Sequence, residues 1–164
     1  MSIDYKSGDI LDWADKVDFI GHQVNCSGVM GGGLALQIAK KWPNVLAKYQ
    51  EFIRDFRQIN NGNREGLLGK CHTVAVGGFF IANLFGQFGI GWGLQTDYTA
   101  LSKALTTLRD TMIYADKKKL ALPVNLGCGL AGGDWNVVHS MILEIFEKSD
   151  IQVTLVEFAP KDKR

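Results

Sequence analysis

The chain has 164 residues, 46% of them hydrophobic and 21% charged, with a formal net charge of +1. This composition excludes disorder, because there is enough apolar surface to build a core. The near-zero net charge gives no basis for broad electrostatic capture of nucleic acid or membrane.

The length fits one domain over residues 1–164. Ile3 to Tyr5 alternates weakly and predicts a short first strand, closed by a turn at Gly8-Asp9. Asp9 to Asp15 predicts a turn or short helix with Trp13 docked inward, and Phe19 to Val24 predicts a central strand, almost wholly apolar or uncharged. A helix starts over Leu34 to Lys40, and Pro43 opens another, where its missing N–H costs nothing. Val45, Leu46, Tyr49, Phe52, Ile53 and Phe56 form one apolar stripe on that second helix. Strands follow over Cys71 to Val76 and Phe79 to Phe85, joined through Gly77-Gly78. Leu94, Tyr98, Leu101, Leu105, Leu108 and Met112 repeat at steps of three and four, which predicts a helix over Thr96 to Asp110. Lys117 to Lys119 reads as a solvated helix end or strand entry, and Leu120 to Val124 as a buried strand. Asp134 reads as the N-cap of a helix over Trp135 to Glu147, Ile151 to Phe158 as the last strand, and Pro160 to Arg164 as a frayed polar tail. The alternation predicts a mixed α/β sheet covered by helices on both faces.

Three glycine-rich loops interrupt this order, at Gly28–Gly33, Gly86–Gly93 and Gly127–Gly133. The first and third follow strands and precede helices. Such a loop is either a tight turn that needs glycine or an anion site built from unpaired helix-terminal N–H groups and close-approaching backbone, and two such sites together can clasp a diphosphate. His22 shares a strand face with Ile20 and Val24, so it is either a core histidine or a proton carrier. Asp134 is either a cap or a carboxylate that handles water, and Asn25 either closes its turn or binds sugar hydroxyls. Asp9 either closes a turn or accepts from an exocyclic amine. Trp92 and Phe88 either stack a base or close a lid, or else anchor their loop. Cys26, Cys71 and Cys128 are odd in number, widely spaced and match no zinc pattern, which points to a reducing, cytoplasmic compartment. Met1 to Asp9 is too polar for a signal peptide, and no apolar run reaches membrane-spanning length.

Gly8-Asp9-Ile10-Leu11, the run from Val24-Asn25 to Gly33, and Leu122-Pro123 to Trp135 resemble a macro domain along essentially the whole chain. Gly-Cys-Gly-Leu-Ala-Gly-Gly-Asp-Trp at 127–135 is most similar to the branch of ADP-ribose-1''-phosphate phosphatases and terminal ADP-ribose glycohydrolases. The resemblance implies a three-layer α/β/α fold with a mixed, mostly parallel six-stranded sheet. It implies ADP-ribose or its 1''-phosphate as ligand, with no cofactor or metal. By it, Asp9 and Ile10 meet the adenine and Asn25 the distal ribose. Gly31, Gly32, Gly33 and Leu34 cover the diphosphate from one side, and Gly127, Cys128, Gly129, Leu130 and Ala131 from the other. His22 and Asp134 match the catalytic pair of the phosphatase-like members. The glycohydrolase members use a central lysine and an aspartate after Gly-Cys-Gly-Leu. Here Gly77 to Gly93 has no lysine and that second place is Ala131.

The expectation is a monomeric, metal-independent phosphatase acting on ADP-ribose 1''-phosphate, with small ADP-ribose derivatives as partners and no membrane. Two alternatives stand beside it: an ADP-ribosyl hydrolase acting on ADP-ribosylated protein or nucleic acid, and a non-catalytic ADP-ribose-binding module.

Overall fold

A computed structural model describes residues 1–160. Residues 161–164, most of the expected frayed tail, lie outside the described residues. Six strands form one sheet: β1 (Ser2–Gly8), β2 (Phe19–Val24), β3 (Cys71–Val76), β4 (Phe79–Phe85), β5 (Lys119–Pro123) and β6 (Gln152–Phe158), in the order β1-β6-β5-β2-β4-β3. Every pairing is parallel except the β3–β4 hairpin. Four α-helices cover it: α1 (Gly33–Lys41), α2 (Pro43–Ile59), α3 (Tyr98–Tyr114) and α4 (Trp135–Phe146).

The strand period of two sorts the core into two layers. Ile20 and Val24 of β2 pack with Ile38 of α1 and with Val45, Tyr49 and Ile53 of α2. Phe19 lies on the other face with Leu101, Leu105, Leu108 and Met112 of α3 and with Val138, Ile142 and Phe146 of α4. Leu46, Phe52 and Phe56 complete the expected stripe of α2 as partly buried neighbours of the first layer. The three-layer arrangement expected from the residues is therefore the one observed.

The differences are local and have physical causes. β1 runs well beyond Ile3 to Tyr5, because it is an edge strand whose pairing with β6 does not require apolar residues on both faces. α3 begins at Tyr98 because Asp97 caps it, accepting from the Ala100 N–H at 2.9 Å. Leu94 is consequently outside the helix and 59% exposed. Short 3-10 turns lie at Ile10–Trp13, within the expected stretch, and at Glu65–Leu67, where none is expected from sequence. No described helix is long and apolar enough to cross a membrane.

Candidate functional site

β2 pairs with β4 along its whole length but with β5 only at Phe19–Leu120 and Ile20–Ala121. At the amino end of this seam the Asp18 carboxylate accepts from Lys118 N and Lys119 N at 3.2 and 3.1 Å. Past Ala121 the two strands part. The chain also switches direction of winding here, since β2 leads outward to β4 while β5 leads to β6. Open α/β sheets hold ligands at such a switch point, at the carboxyl ends of the strands. A cleft of about 1060 Å³ opens there, lined by the ends of β1, β2, β5 and β6. Its size suits a ligand as large as a dinucleotide.

The expected glycine loops form its walls. Gly31, Gly32, Gly33 and Leu34 line it from the α1 side, and Gly127, Gly129, Leu130 and Ala131 from the α4 side. The walls come close across the mouth: a Cβ on Gly32 would lie 2.8 Å from Leu130 Cδ1. The loop Gly86–Gly93 closes another side through Gln87, Ile90 and Trp92, with Gln95 just beyond it. It is tied to the α4 wall where Gln95 N donates to Ala131 O at 2.8 Å. Trp92 is fully exposed at the rim. Phe88 is instead a loop anchor, capped by the Arg64 guanidinium 5.1 Å from its ring centre.

His22 lines the cleft from β2 and is only 2% exposed. Its Nε2 donates to Asn83 Oδ1 on β4 at 2.6 Å, and Asn83 Nδ2 donates to His72 Nδ1 on β3 at 3.2 Å. Phe52 stacks on His72 with ring centres 4.3 Å apart. A carboxamide oxygen offers only lone pairs, so His22 carries its proton on Nε2 and leaves Nδ1 as a bare acceptor. That Nδ1 is buried and has no hydrogen-bond partner among the described residues. Burial pushes the imidazole down to about 4, the Asn83 bond opposing. His22 is therefore neutral near pH 7, and burial lowers His72 as well.

The remaining expected residues separate into two groups. Asp9, Ile10 and Asn25 line the cleft with His22. Asp9 Oδ1 also closes its turn by accepting from Leu11 N at 2.9 Å. Asn25 organises its own loop: Oδ1 accepts from Ser27 N at 2.9 Å and from Tyr49 Oη at 2.8 Å, while Nδ2 donates to Val29 O at 2.8 Å. Burial raises the Tyr49 phenol, which keeps the donor proton in place. Cys128 and Asp134 fall outside the lining. Asp134 is exposed and caps α4, accepting from Asn136 N at 2.9 Å, and Cys128 Sγ points back to Leu126 O at 3.2 Å. Burial lifts the Cys26 and Cys128 thiols to about 11, so neither is a thiolate at neutral pH. Among the described residues no group of three or more His, Cys, Asp or Glu is placed to hold a metal ion.

Sequence reasoning did not find Gln23, Asn83 or Phe158. Gln23 sits between the loops, donating from Nε2 to Gln87 Oε1 at 2.9 Å and to Thr96 Oγ1 at 3.0 Å, with Oε1 buried and unpartnered among the described residues. Gly127 adopts φ +71, and a Cβ there would meet Gln23 Oε1 at 2.8 Å, so this wall admits only glycine. Phe158 ends β6 beside Asp9 in the cleft lining, where the rule about carboxyl strand ends points.

No family model matches the chain. A macrodomain protein of Streptomyces coelicolor superposes with a TM-score of 0.76 at 30% identity, covering 94% of this chain and 98% of that one. The chain belongs to the macro domain superfamily. The macrodomain of Mycobacterium tuberculosis DarG also superposes, with a TM-score of 0.77 at 26% identity, covering 97% of this chain and 98% of that one. Among relatives by sequence, the human ADP-ribose glycohydrolase OARD1 is 27% identical over 93% of this chain and 90% of its own length. The M. tuberculosis DNA ADP-ribosyl glycohydrolase is 27% identical over 89% of this chain, which spans 39% of that longer protein. The Candida glabrata ADP-ribose 1''-phosphate phosphatase is 30% identical over 72% of this chain and 65% of its own length. These similarities reach several branches of the macro domain superfamily at comparable identity.

Proposed function

We propose that this macro domain is an ADP-ribosyl hydrolase, which holds ADP-ribose in the cleft and cleaves the bond joining its distal ribose to nucleic acid or protein. The observation that carries this reading is the seam between β2 and β5, which opens into a cleft walled by two glycine loops with His22 set in the lining. Near-full-length similarity to the human glycohydrolase and to the DarG macrodomain supports it. The adenine lies toward Asp9, Ile10 and Phe158. The diphosphate passes between Gly31–Leu34 and Gly127–Ala131, where backbone N–H groups offset its charge. The distal ribose meets Asn25 and His22.

In the reaction a water oxygen bonds to C1'' of the distal ribose as the bond from C1'' to the carrier breaks. The carrier leaves with that electron pair and takes up the proton the water gives up. In this reading a neutral His22, its Nε2 proton held by Asn83, is not the acid that protonates the leaving group. Its Nδ1 is closed to solvent, so the role left to it requires a small opening as the ligand seats, after which Nδ1 accepts a hydrogen bond from the attacking water or from a ribose hydroxyl and fixes its orientation. Among the described residues no lysine lines the cleft, and Ala131 stands where the resemblance places the aspartate of other glycohydrolases, so in this reading positioning supplies more of the rate. Phosphatase action is the second reading. It needs His22 and Asp134 together at the distal ribose, whereas Asp134 is exposed and outside the cleft lining.

The test is to incubate the protein with three substrates: a single-stranded oligonucleotide carrying ADP-ribose on one base, an ADP-ribosylated peptide, and ADP-ribose 1''-phosphate. Release of ADP-ribose from either macromolecule is the expected result. Phosphate release alone would replace this reading with the phosphatase, and tight ADP-ribose binding without turnover would replace it with a binding module.

A further inference from the structure

Behind the loop that forms one wall of the cleft is a second hollow, of about 480 Å³, lined by Ser27, Gly28, Gln50, Ile53, Arg54 and Arg57 among others. We infer that this hollow is an anion site that takes a backbone phosphate of a nucleic-acid strand whose modified nucleotide occupies the cleft. The inference rests on the hydrolase reading above and narrows its substrate to nucleic acid.

Arg54 and Arg57 stand three residues apart on α2, so their side chains project on one face. Neither makes a hydrogen bond or ion pair among the described residues. Among the described residues no carboxylate lines the hollow. Two acidic residues flank the pair on α2: Glu51 is taken up by Lys48 at 3.4 Å, and Asp55, between the arginines in the chain, does not line the hollow. The last turn of α2 does not oppose an anion with free carbonyls at Phe56 and Arg57, since Asn60 N and Gly62 N donate to them. Two unpaired guanidiniums over a small apolar floor match the fork geometry of a phosphate.

The wall itself is held rigid on both sides. Gln50 Nε2 donates to Gly28 O at 2.9 Å, and the Arg64 guanidinium reaches Ser27 Oγ at 3.4 Å. Asn25 faces the cleft while Ser27 and Gly28 face the hollow. Those Cα positions are separated by at most about 11 Å, three peptide steps. A strand leaving the cleft over this wall therefore brings its next phosphates to Arg54 and Arg57. A modified nucleotide always has such phosphates at a fixed reach, whereas a modified peptide has no obligatory anion there. With a net charge of +1 on the whole chain, the effect is local to this patch.

The experiment compares wild type with Arg54→Gln/Arg57→Gln, both positions being exposed, after thermal melts show equal stability. The expected result is KM for the ADP-ribosylated single-stranded oligonucleotide raised about tenfold, and a log–log salt slope shallower by about 1 to 2. Affinity for free ADP-ribose and turnover of the ADP-ribosylated peptide stay unchanged. Equal KM and equal salt slope for the two proteins on the oligonucleotide would overturn the inference. So would a phosphopeptide that competes for the hollow as well as an unmodified oligonucleotide does. If wild type turns over neither macromolecule, the hydrolase reading fails by itself. Binding of the unmodified oligonucleotide then decides: salt-sensitive binding lost in the double variant sustains the phosphate site, and binding equal in both removes it.

Discussion

His22 and Asn83 sit in register across β2 and β4, joined at 2.6 Å through Nε2 and Oδ1, and this bond selects the tautomer that presents Nδ1 bare. Asn83→Leu leaves a buried N–H without an acceptor, at a cost of about 1–3 kcal/mol in stability. It should also lower turnover more than it weakens ADP-ribose, because the ring loses its orientation. Asn83→Asp separates positioning from packing. A carboxylate beside Nε2 favours the imidazolium, so the acid limb of the rate profile should move to higher pH. An acid limb that stays in place would show that Asn83 only fills space.

Stability should depend on pH through the same ring. Folded His22 titrates at about 4, against 6.5 for an ordinary histidine. Its folded value is depressed, so the unfolded chain takes up the proton first as pH falls. Stability is complete above about 6.5, declines through the window from 6.5 to 4, and levels below it. The contribution is on the order of 3 kcal/mol for this fully buried group. Urea unfolding at about pH 7 and about pH 4.5, near the two ends of that window, measures it. His22→Gln should show a correspondingly smaller loss between the two. Equal losses in the two proteins would assign the acid sensitivity to carboxylates.

Much of this was readable from residues in order. β2, β3 and β4 match their expected spans residue for residue, because each is a short run without charged residues, rich in apolar ones and followed by a turn or loop. The cap at Asp134 and the two glycine walls were likewise legible, since both depend on local chemistry. Asn83 was not: inside Phe79 to Phe85 it is a lone polar residue. Its meaning depends on pairing with a strand 61 positions away. Asp134 illustrates the reverse. Its sequence position beside a glycine loop suggests a site residue, but the direction of its side chain is set by the α4 cap and the turn before it.

That distinction can be tested on Asp134 directly. Asp134→Ser keeps a side-chain oxygen for the Asn136 N–H and should retain both stability and turnover. Asp134→Ala should lose about 0.5–2 kcal/mol of stability while the folded fraction keeps its rate. Loss of turnover in the serine variant, with normal melting, would restore Asp134 to the chemistry.

Gly32 should matter for the ligand more than for the fold. Its φ of −156 is extended backbone open to any residue, and the atom a side chain would meet belongs to exposed Leu130. Gly32→Val should therefore fold normally and bind ADP-ribose at least about tenfold more weakly, because the added branches fill the gap between the walls. Calorimetric titration beside a thermal melt checks both halves.

The two-pair ladder between β2 and β5 has a mechanical consequence. The sheet is two half-sheets, β1-β6-β5 and β2-β4-β3, stitched at one end by Asp18 and open at the other. The cores on both faces run across this joint, so the part left for a ligand to brace is its open carboxyl end. ADP-ribose should then slow amide hydrogen exchange at Phe19, Ile20, Leu120 and Ala121, which no ligand atom needs to touch, while leaving the β3–β4 hairpin unchanged. The ligand would serve the fold as a crosspiece, and a tight inhibitor of this protein would be recognised by how firmly it locks the two halves together.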